Sequence, residues 1–223
     1  MKKIDLICYD FDGTLCNTLP DIVNSMNVVL EDNGLQAISE KKVRSFIGSG
    51  ISELVKKSVY CALAGDNNDP VDPEVLKKVG LEMGIHYSQH ITDNSYLYED
   101  TIEILEHFSA HCQIIVSNKP QKMVEAMLDH YGIKHYFDLI VGGDTIEVCK
   151  PDPVVWEYVK NELNLLGEIK GFMVGDSVPD MAFGRIAELT KIAVTYGYND
   201  LPVLQKEGVD HFIDHLTDLI NII

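Results

Sequence analysis

Positive charge is scarce in this sequence. Arginine occurs only at Arg44 and Arg185, and Lys and Arg together number 18 against 35 Asp and Glu, a net charge of −17 over 223 residues. A field of that sign repels nucleic acid and anionic lipid, which excludes both as charge-driven partners. It also repels phosphate esters, so such a ligand needs a local cationic pocket. Long apolar runs are missing too. Nothing approaches the roughly 18 consecutive apolar residues that a membrane-spanning helix needs. The opening Met1-Lys2-Lys3-Ile4-Asp5 reaches an acidic residue before an apolar stretch forms, so it does not read as a signal peptide. Cysteine is sparse: Cys8, Cys16, Cys61, Cys112 and Cys149 are odd in number and contain no C-x-x-C pair, which excludes a disulfide scaffold and a cysteine zinc site and points to a reducing cytoplasm. Histidines recur at i,i+4 spacing in His86/His90, His107/His111 and His211/His215, but without a Glu or Cys partner in a recognised pattern they read as structural.

What remains is ordinary globular material, with 46% apolar and 24% charged residues. A chain of this length buries enough surface to fold without staples. Short β-branched runs at Ile4–Tyr9, Gln113–Val116, Leu139–Val141, Phe172–Val174 and Ile192–Val194 alternate, after the first, with helical periodicity, the pattern of a parallel sheet covered on both faces. One interval breaks this rhythm. From Asn17 to about Asn94 the pattern is helical throughout. Pro20 opens a helix with Ile22, Met26 and Leu30 on one face and Gly34 at its end, and a short helix follows Ser39. A third after Gly50 carries Ile51, Leu54, Val55 and Ser58, and a fourth near Pro73 carries Val75, Leu76, Val79 and Met83. The expected architecture is a doubly wound α/β core of the Rossmann type, residues 1–16 and 95–223, with an inserted helical cap over 17–94. Ligands of open α/β sheets bind beyond the carboxyl ends of the strands, where an insertion is placed to act as a lid.

Chemistry concentrates at those strand ends. The first run leads into Asp10-Phe11-Asp12-Gly13-Thr14, and two carboxylates so close repel each other unless a cation holds them; the alternative is an ordinary acidic turn. A second acidic cluster, Asp176-Ser177-Val178-Pro179-Asp180, ends the run Phe172–Gly175, and such a set of oxygen donors suits Mg²⁺. Ser117-Asn118 ends another strand before a helix that starts near Pro120, where a hydroxyl and helix N–H groups form an anion site. Cys149-Lys150-Pro151 places Lys150 at the threshold of a helix opened by the proline. Singly, Ser117 also reads as a helix cap and Lys150 as a surface charge.

In this order, Asp10-x-Asp12-Gly-Thr, Ser117, Lys150 and Gly175-Asp176-Ser177-x-x-Asp180 resemble the four motifs of the haloacid dehalogenase superfamily of phosphotransferases, and the helical insertion resembles its cap. Phe46-Ile47-Gly48-Ser49-Gly50 and Val194-Thr195-Tyr196-Gly197-Tyr198-Asn199 are similar to stretches of phosphoglycolate phosphatases. The resemblance implies a phosphatase. Asp10 would be the nucleophile that forms an aspartyl-phosphate, and Asp12 the acid and then the base. Ser117 and Lys150 would bind phosphoryl oxygens. Asp10, the Asp12 carbonyl and Asp176 would hold Mg²⁺, with Asp180 in or beside the shell. Gly13, Thr14 and Asn118 in the core, and Gly48, Gly50 and Arg44 in the cap, would line the substrate, with Arg44 a candidate for a substrate carboxylate.

Asp12 separates this chain from dehalogenases, whose leaving group needs no proton, and Thr14 separates it from β-phosphoglucomutase-type mutases, which tend to have Val there. Departures from the family pattern are Tyr98-Glu99-Asp100 in place of a Pro-Gly, Val178-Pro179 in place of a polar pair, and Gly184-Arg185-Ile186-Ala187 where an Ala-Gly is common. The expected substrate is a small phosphorylated metabolite, phosphoglycolate first, then another small ester or pyrophosphate, acted on by a monomer or homodimer. The rivals are a phosphosugar mutase, a catalytically idle phosphate- or partner-binding protein on the same fold, and a response-regulator receiver, which is only about half this length for one ~100–150-residue domain.

Overall fold

The computed structural model describes residues 5–63 and 71–223; these form two compact units, one of the described residues up to Asn17 with Leu97–Ile223, the other of the described residues between Thr18 and Tyr96. The chain begins in the first unit with β1 (Leu6–Tyr9) and the two-residue β2 (Cys16–Asn17). The inserted unit holds α1 (Leu19–Asp32), α2 (Glu40–Arg44), α3 (Ile51–Leu63) and α4 (Pro73–Gln89). The two-residue β3 (Tyr96–Leu97) falls at the change of unit, and the first unit then continues with α5 (Thr101–His107), β4 (Gln113–Val116), α6 (Gln121–His130), β5 (Leu139–Val141), α7 (Pro153–Glu162), β6 (Gly171–Gly175), α8 (Val178–Ile186), β7 (Thr190–Val194), α9 (Leu201–Gln205) and β8 (His211–Ile213). Ile4, placed in the first strand by sequence, lies outside the described residues.

In the inserted unit the four helices fall where their punctuation put them. Pro20 sits in the first turn of α1, and Ile22, Met26 and Leu30 are buried. Asp72 caps α4, its side chain accepting the Glu74 N–H at 2.9 Å with Pro73 behind it. The buried face of α4 is Val79, Met83 and Tyr87; Val75 and Leu76 are only half-buried, so the stripe runs further toward the helix end than the apolar spacing suggested.

A polar device in this unit has no signature in the sequence. The Asp21 carboxylate, 1% exposed, accepts the backbone N–H of Asn94 at 2.9 and 3.0 Å, the Asn94 amide at 3.0 Å, and the Ser95 N–H and hydroxyl at 2.8 and 2.7 Å. Burial opposes its charge, but the donors of Ser95 and Asn94 outweigh burial and hold the carboxyl below its ordinary value. Its contribution is therefore present above the unfolded value near about 3.9 and is lost as pH falls through the lower, folded value. Asp21→Asn, which turns one acceptor into a donor facing donors, is expected to cost about 2–3 kcal/mol at pH 7. The Tm gap to wild type should narrow as both are melted below about pH 4; a gap that persists undiminished at pH 3 would remove Asp21's charge as its cause.

The first unit is built on six parallel strands in the order β5-β4-β1-β6-β7-β8, while β2 and β3 pair separately. Strands β1 and β4 are buried at every position, as the apolar runs required. One face packs Leu6, Cys8, Ile114, Val116 and Met173 against Trp156, Val159 and Phe183, with the Trp156 and Phe183 rings edge-on at 6.2 Å. Burial of such side chains is worth about 1.5–3 kcal/mol each. One strand and one helix start are corrected. The sheet has a sixth strand, β8, an edge strand that shows no apolar run because His211 and Phe212 are exposed and only Ile213 is buried. The helix after Lys150 is opened by Pro153, not Pro151, because Asp152 caps it by accepting the Val154 N–H at 2.9 Å. Strand β1 lies between β4 and β6, and successive strands depart from it in opposite directions, which makes its carboxyl end the topological switch point. No helix among the described residues is long and apolar enough to cross a membrane.

Candidate active site

Asp10 leaves β1 at that switch point, its N–H donating to the Val174 carbonyl at 2.9 Å. Register pairs Tyr9 with Ile115 on one side and with Val174 on the other, so continuing both ladders brings Ser117 and Asp176 level with the residue after Asp10. Asp10, Asp176 and Asp180 are all buried, and one carboxylate oxygen of each lies within 4.8 Å of the others.

Lys150 neutralises part of this charge. Its side chain is 2% exposed, with Nζ 2.5 Å from Asp180 Oδ1 and 3.1 Å from Asp10 Oδ1. The second contact is ionic but not aligned as a hydrogen bond, and Asp10 Oδ1 is a buried oxygen with no hydrogen-bond partner. Lys150 is therefore no surface charge. Asn118 holds it from behind, donating its amide to the Lys150 carbonyl at 3.0 Å. Ser117, 3% exposed, is not the cap of α6, since Pro120 stands at that position; its N–H donates to the Val141 carbonyl at 2.8 Å. At the start of α6, Pro120 offers no N–H, and the Gln121 N–H is taken at 2.7 Å by the Asp144 carboxylate.

The electrostatics show what the cluster lacks. Burial pushes the Asp10 carboxyl up to about 7; Asp180 adds to this, Lys150 opposes it and Asp12 adds again. Burial, then Asp180 and Asp10, raise Asp176 well above the carboxylate range, against the Tyr198 N–H and Lys150. Burial would lower Lys150, but Asp10 and Asp180 hold it up to about 12. Carboxylates driven up beside a lysine driven up signal a shortage of positive charge. A divalent cation with a preference for oxygen fits that shortage, and Asp10 Oδ1, ion-paired to Lys150 but accepting no hydrogen bond, is a donor it could take. Asp180 has less to offer a metal: Oδ2 accepts the N–H of Asp176 at 3.1 Å, the N–H of Ser177 at 2.9 Å and its hydroxyl at 2.6 Å, while Oδ1 takes Lys150.

The loop after Asp10 is fixed from several sides. Gly13 has φ +83°, and a Cβ there would lie 2.5 Å from Asp176 Oδ2. Thr14 is fully buried, its carbonyl accepting the Tyr196 hydroxyl at 2.9 Å, and the Leu15 carbonyl accepts the Thr101 hydroxyl at 2.9 Å. The Tyr198 N–H donates to Asp176 Oδ2 at 2.5 Å. Arg44, Gly48 and Gly50 belong to the inserted unit: Arg44 ends α2 and is exposed, and the two glycines have φ of +112° and +86°.

Sequence reading missed Lys119. Its ammonium donates to Asp12 Oδ1 at 2.9 Å, with the two side chains 2% and 14% exposed. A lysine two residues past Ser117 carries no local sign of a partner 107 positions away. The part of Tyr198 was invisible for another reason: it works through a backbone N–H.

This arrangement, paired aspartates after a central strand, a buried lysine and a second acidic pair on the neighbouring strand, defines a hydrolase class. The haloacid dehalogenase-like hydrolase family model matches residues 7–194, and the chain belongs to that family. Over the whole chain it is 31% identical to a phosphoglycolate phosphatase of Vibrio cholerae, covering 98% of it, and 30% identical to that of Vibrio parahaemolyticus, covering 97%. The crystal structure of a protein described as a predicted phosphoglycolate phosphatase, from Haemophilus somnus 129pt, matches with a TM-score of 0.91 and 31% identity, over 100% of this chain and 99% of that one.

Proposed function

We propose that the protein is a Mg²⁺-dependent phosphatase of small phosphomonoesters that works through an aspartyl-phosphate on Asp10, with phosphoglycolate the leading substrate. The observation that carries this reading is the Asp10 carboxylate, buried beside Lys150 with the oxygen nearest the ammonium accepting no hydrogen bond, and a second carboxylate, Asp12, two residues on. Relatives named phosphoglycolate phosphatase support the substrate.

In the first half-reaction an Asp10 oxygen bonds to phosphorus as the bond to the leaving oxygen breaks, and Asp12 gives that oxygen its proton. In the second, Asp12 takes a proton from the water that attacks phosphorus, and the bond to Asp10 breaks. Lys150 and Ser117 hold the phosphoryl oxygens, and Asn118 keeps Lys150 in place through its carbonyl. Asp10 and Asp176, with the Asp12 carbonyl, would hold Mg²⁺, which when bound supplies the positive charge that lets a carboxylate approach a dianionic ester. Catalysis of this kind is chiefly positioning and charge.

The test is phosphate release from a panel of esters with Mg²⁺ and with EDTA. Turnover is expected with Mg²⁺, is abolished by EDTA and returns when Mg²⁺ is added back, with phosphoglycolate fastest. Release that EDTA leaves intact would remove the metal, another ester turned over faster would replace the substrate, and silence across the panel would favour the idle binding protein.

A further inference from the structure

Among the described residues, the lysines classed as buried are Lys119 and Lys150. Lys150 is accounted for by Asp10 and Asp180, and Lys119 has no assigned part. Withdrawing an ammonium from water costs several kcal/mol, which only a well-placed partner offsets. One such partner is the carboxylate of Asp12, at 2.9 Å.

The two ends of this pair are held differently. Lys119 is fixed at the backbone, its N–H directed at Ser117 Oγ at 3.4 Å and its carbonyl accepting the Gly143 N–H at 2.9 Å. The Asp12 backbone is fixed by its bridge to Cys16 and by the Gly13 N–H donating to the Cys16 carbonyl at 2.8 Å. Its side chain, however, has two rotatable bonds and meets solvent, and among the described residues Lys119 makes the one hydrogen bond to its carboxylate. That bond takes Oδ1 and leaves Oδ2 without a protein partner.

We propose that Lys119 is a positioning residue for the acid–base step: it fastens Asp12 by Oδ1 so that Oδ2 faces the leaving-group oxygen. The inference rests on the phosphatase reading. As the bond between phosphorus and the leaving oxygen breaks, its electron pair stays on that oxygen, which takes the proton from Asp12 Oδ2. The carboxylate that results stays paired with Lys119, which remains an ammonium throughout and transfers no proton. Lys119 thus acts only where a leaving group needs a proton.

The leaving group supplies the test. kcat/KM for phosphoglycolate, an alkyl ester, requires proton donation to a strongly basic alkoxide; p-nitrophenyl phosphate releases a weakly basic phenolate that does not. Both report only steps up to phosphoryl transfer onto Asp10, so later hydrolysis does not blur them. Lys119→Met is expected to lose about 10²–10³-fold on the alkyl ester, within the usual worth of general acid catalysis, and less than about 5-fold on the aryl ester. Lys119→Arg should recover most of the alkyl loss. In an Asp12→Asn background Lys119→Met should cost nothing further, because residues acting as a unit are not additive. Equal losses on both esters, an undiminished loss in that background, or no loss at all would overturn the proposal. Should Lys119→Met fail to fold by thermal melting, the same two-ester comparison on Lys119→Gln, which keeps a donor but removes the charge, decides: equal losses or none would overturn it. Wild-type protein silent on these two and on the rest of the ester panel would sink the phosphatase reading itself, whereas active wild type with an equally active Lys119→Met would sink only this inference.

Discussion

Asp10→Asn is expected to remove turnover while leaving the protein folded. An amide cannot form the acyl-phosphate, and the substitution also removes the negative charge that a cation would bind. Loss of a covalent nucleophile costs about 10⁴–10⁶-fold in kcat, so more than about 1% of wild-type kcat/KM in the variant would remove Asp10 from that role. The fold should survive because Lys150 keeps Asp180 at 2.5 Å and Asp180 keeps the Asp176 and Ser177 N–H groups. The cluster without metal places Asp10, Asp176 and Asp180 against one buried lysine, so deleting one negative charge relieves repulsion. Melted in EDTA at pH 8, Asp10→Asn should therefore have a Tm at or above that of wild type; added Mg²⁺ should raise the wild-type Tm by mass action and the variant's by less. A variant that melts well below wild type in EDTA would mean that Asp10 is structural, and its inactivity would then say nothing of nucleophilic attack.

The site was legible to the extent that its residues sit beside periodic signals. Asp10, Ser117 and Asp176 each follow directly on a short apolar strand, and a parallel sheet has its strand ends on one edge, so their convergence follows from the strand pattern alone. Lys150 was legible by order and spacing but not by the reason first given, since the helix it precedes is opened by Pro153. Strand β8 was illegible because an edge strand with two exposed positions has no apolar run to show. What could not be read were pairings. Asp21 with Asn94 and Ser95, and Lys119 with Asp12, join positions 73 to 107 apart, and nothing in the neighbourhood of either residue names its partner. Asp180 is the opposite case. Its acceptance of the Ser177 N–H and hydroxyl is a local capping pattern across three residues, so the spacing that marks a family motif also has a plain structural use.

Gly197→Ala should be almost as damaging as loss of a catalytic group, though the residue bears no functional atom. The segment Tyr196-Gly197-Tyr198 after β7 closes on Asp176, with the Tyr198 N–H on Oδ2 at 2.5 Å and the Tyr196 hydroxyl on the Thr14 carbonyl at 2.9 Å. A Cβ at Gly197 would lie 2.1 Å from Asp176 Cβ and 2.6 Å from Oδ2, and Gly13 also crowds that carboxylate, where a Cβ would be at 2.5 Å. With Asp176 held this closely, the 196–198 loop is expected to lift and take its N–H with it. A displacement of about 1 Å in such a site costs about 10²-fold. The expected result is a fall of about that size in kcat/KM, together with a higher Mg²⁺ concentration for half-maximal rate, because Asp176 is a proposed ligand. Overpacking should also cost about 1–3 kcal/mol in stability. Gly84→Ala is the control. It lies inside α4 with nothing within 4 Å of a new Cβ, and there alanine should stabilise by about 0.5–1 kcal/mol and leave kcat/KM alone. If Gly197→Ala keeps its Mg²⁺ dependence and its rate, the loop yields without moving Asp176, and the contact between Gly197 and the carboxylate has no part in holding the metal.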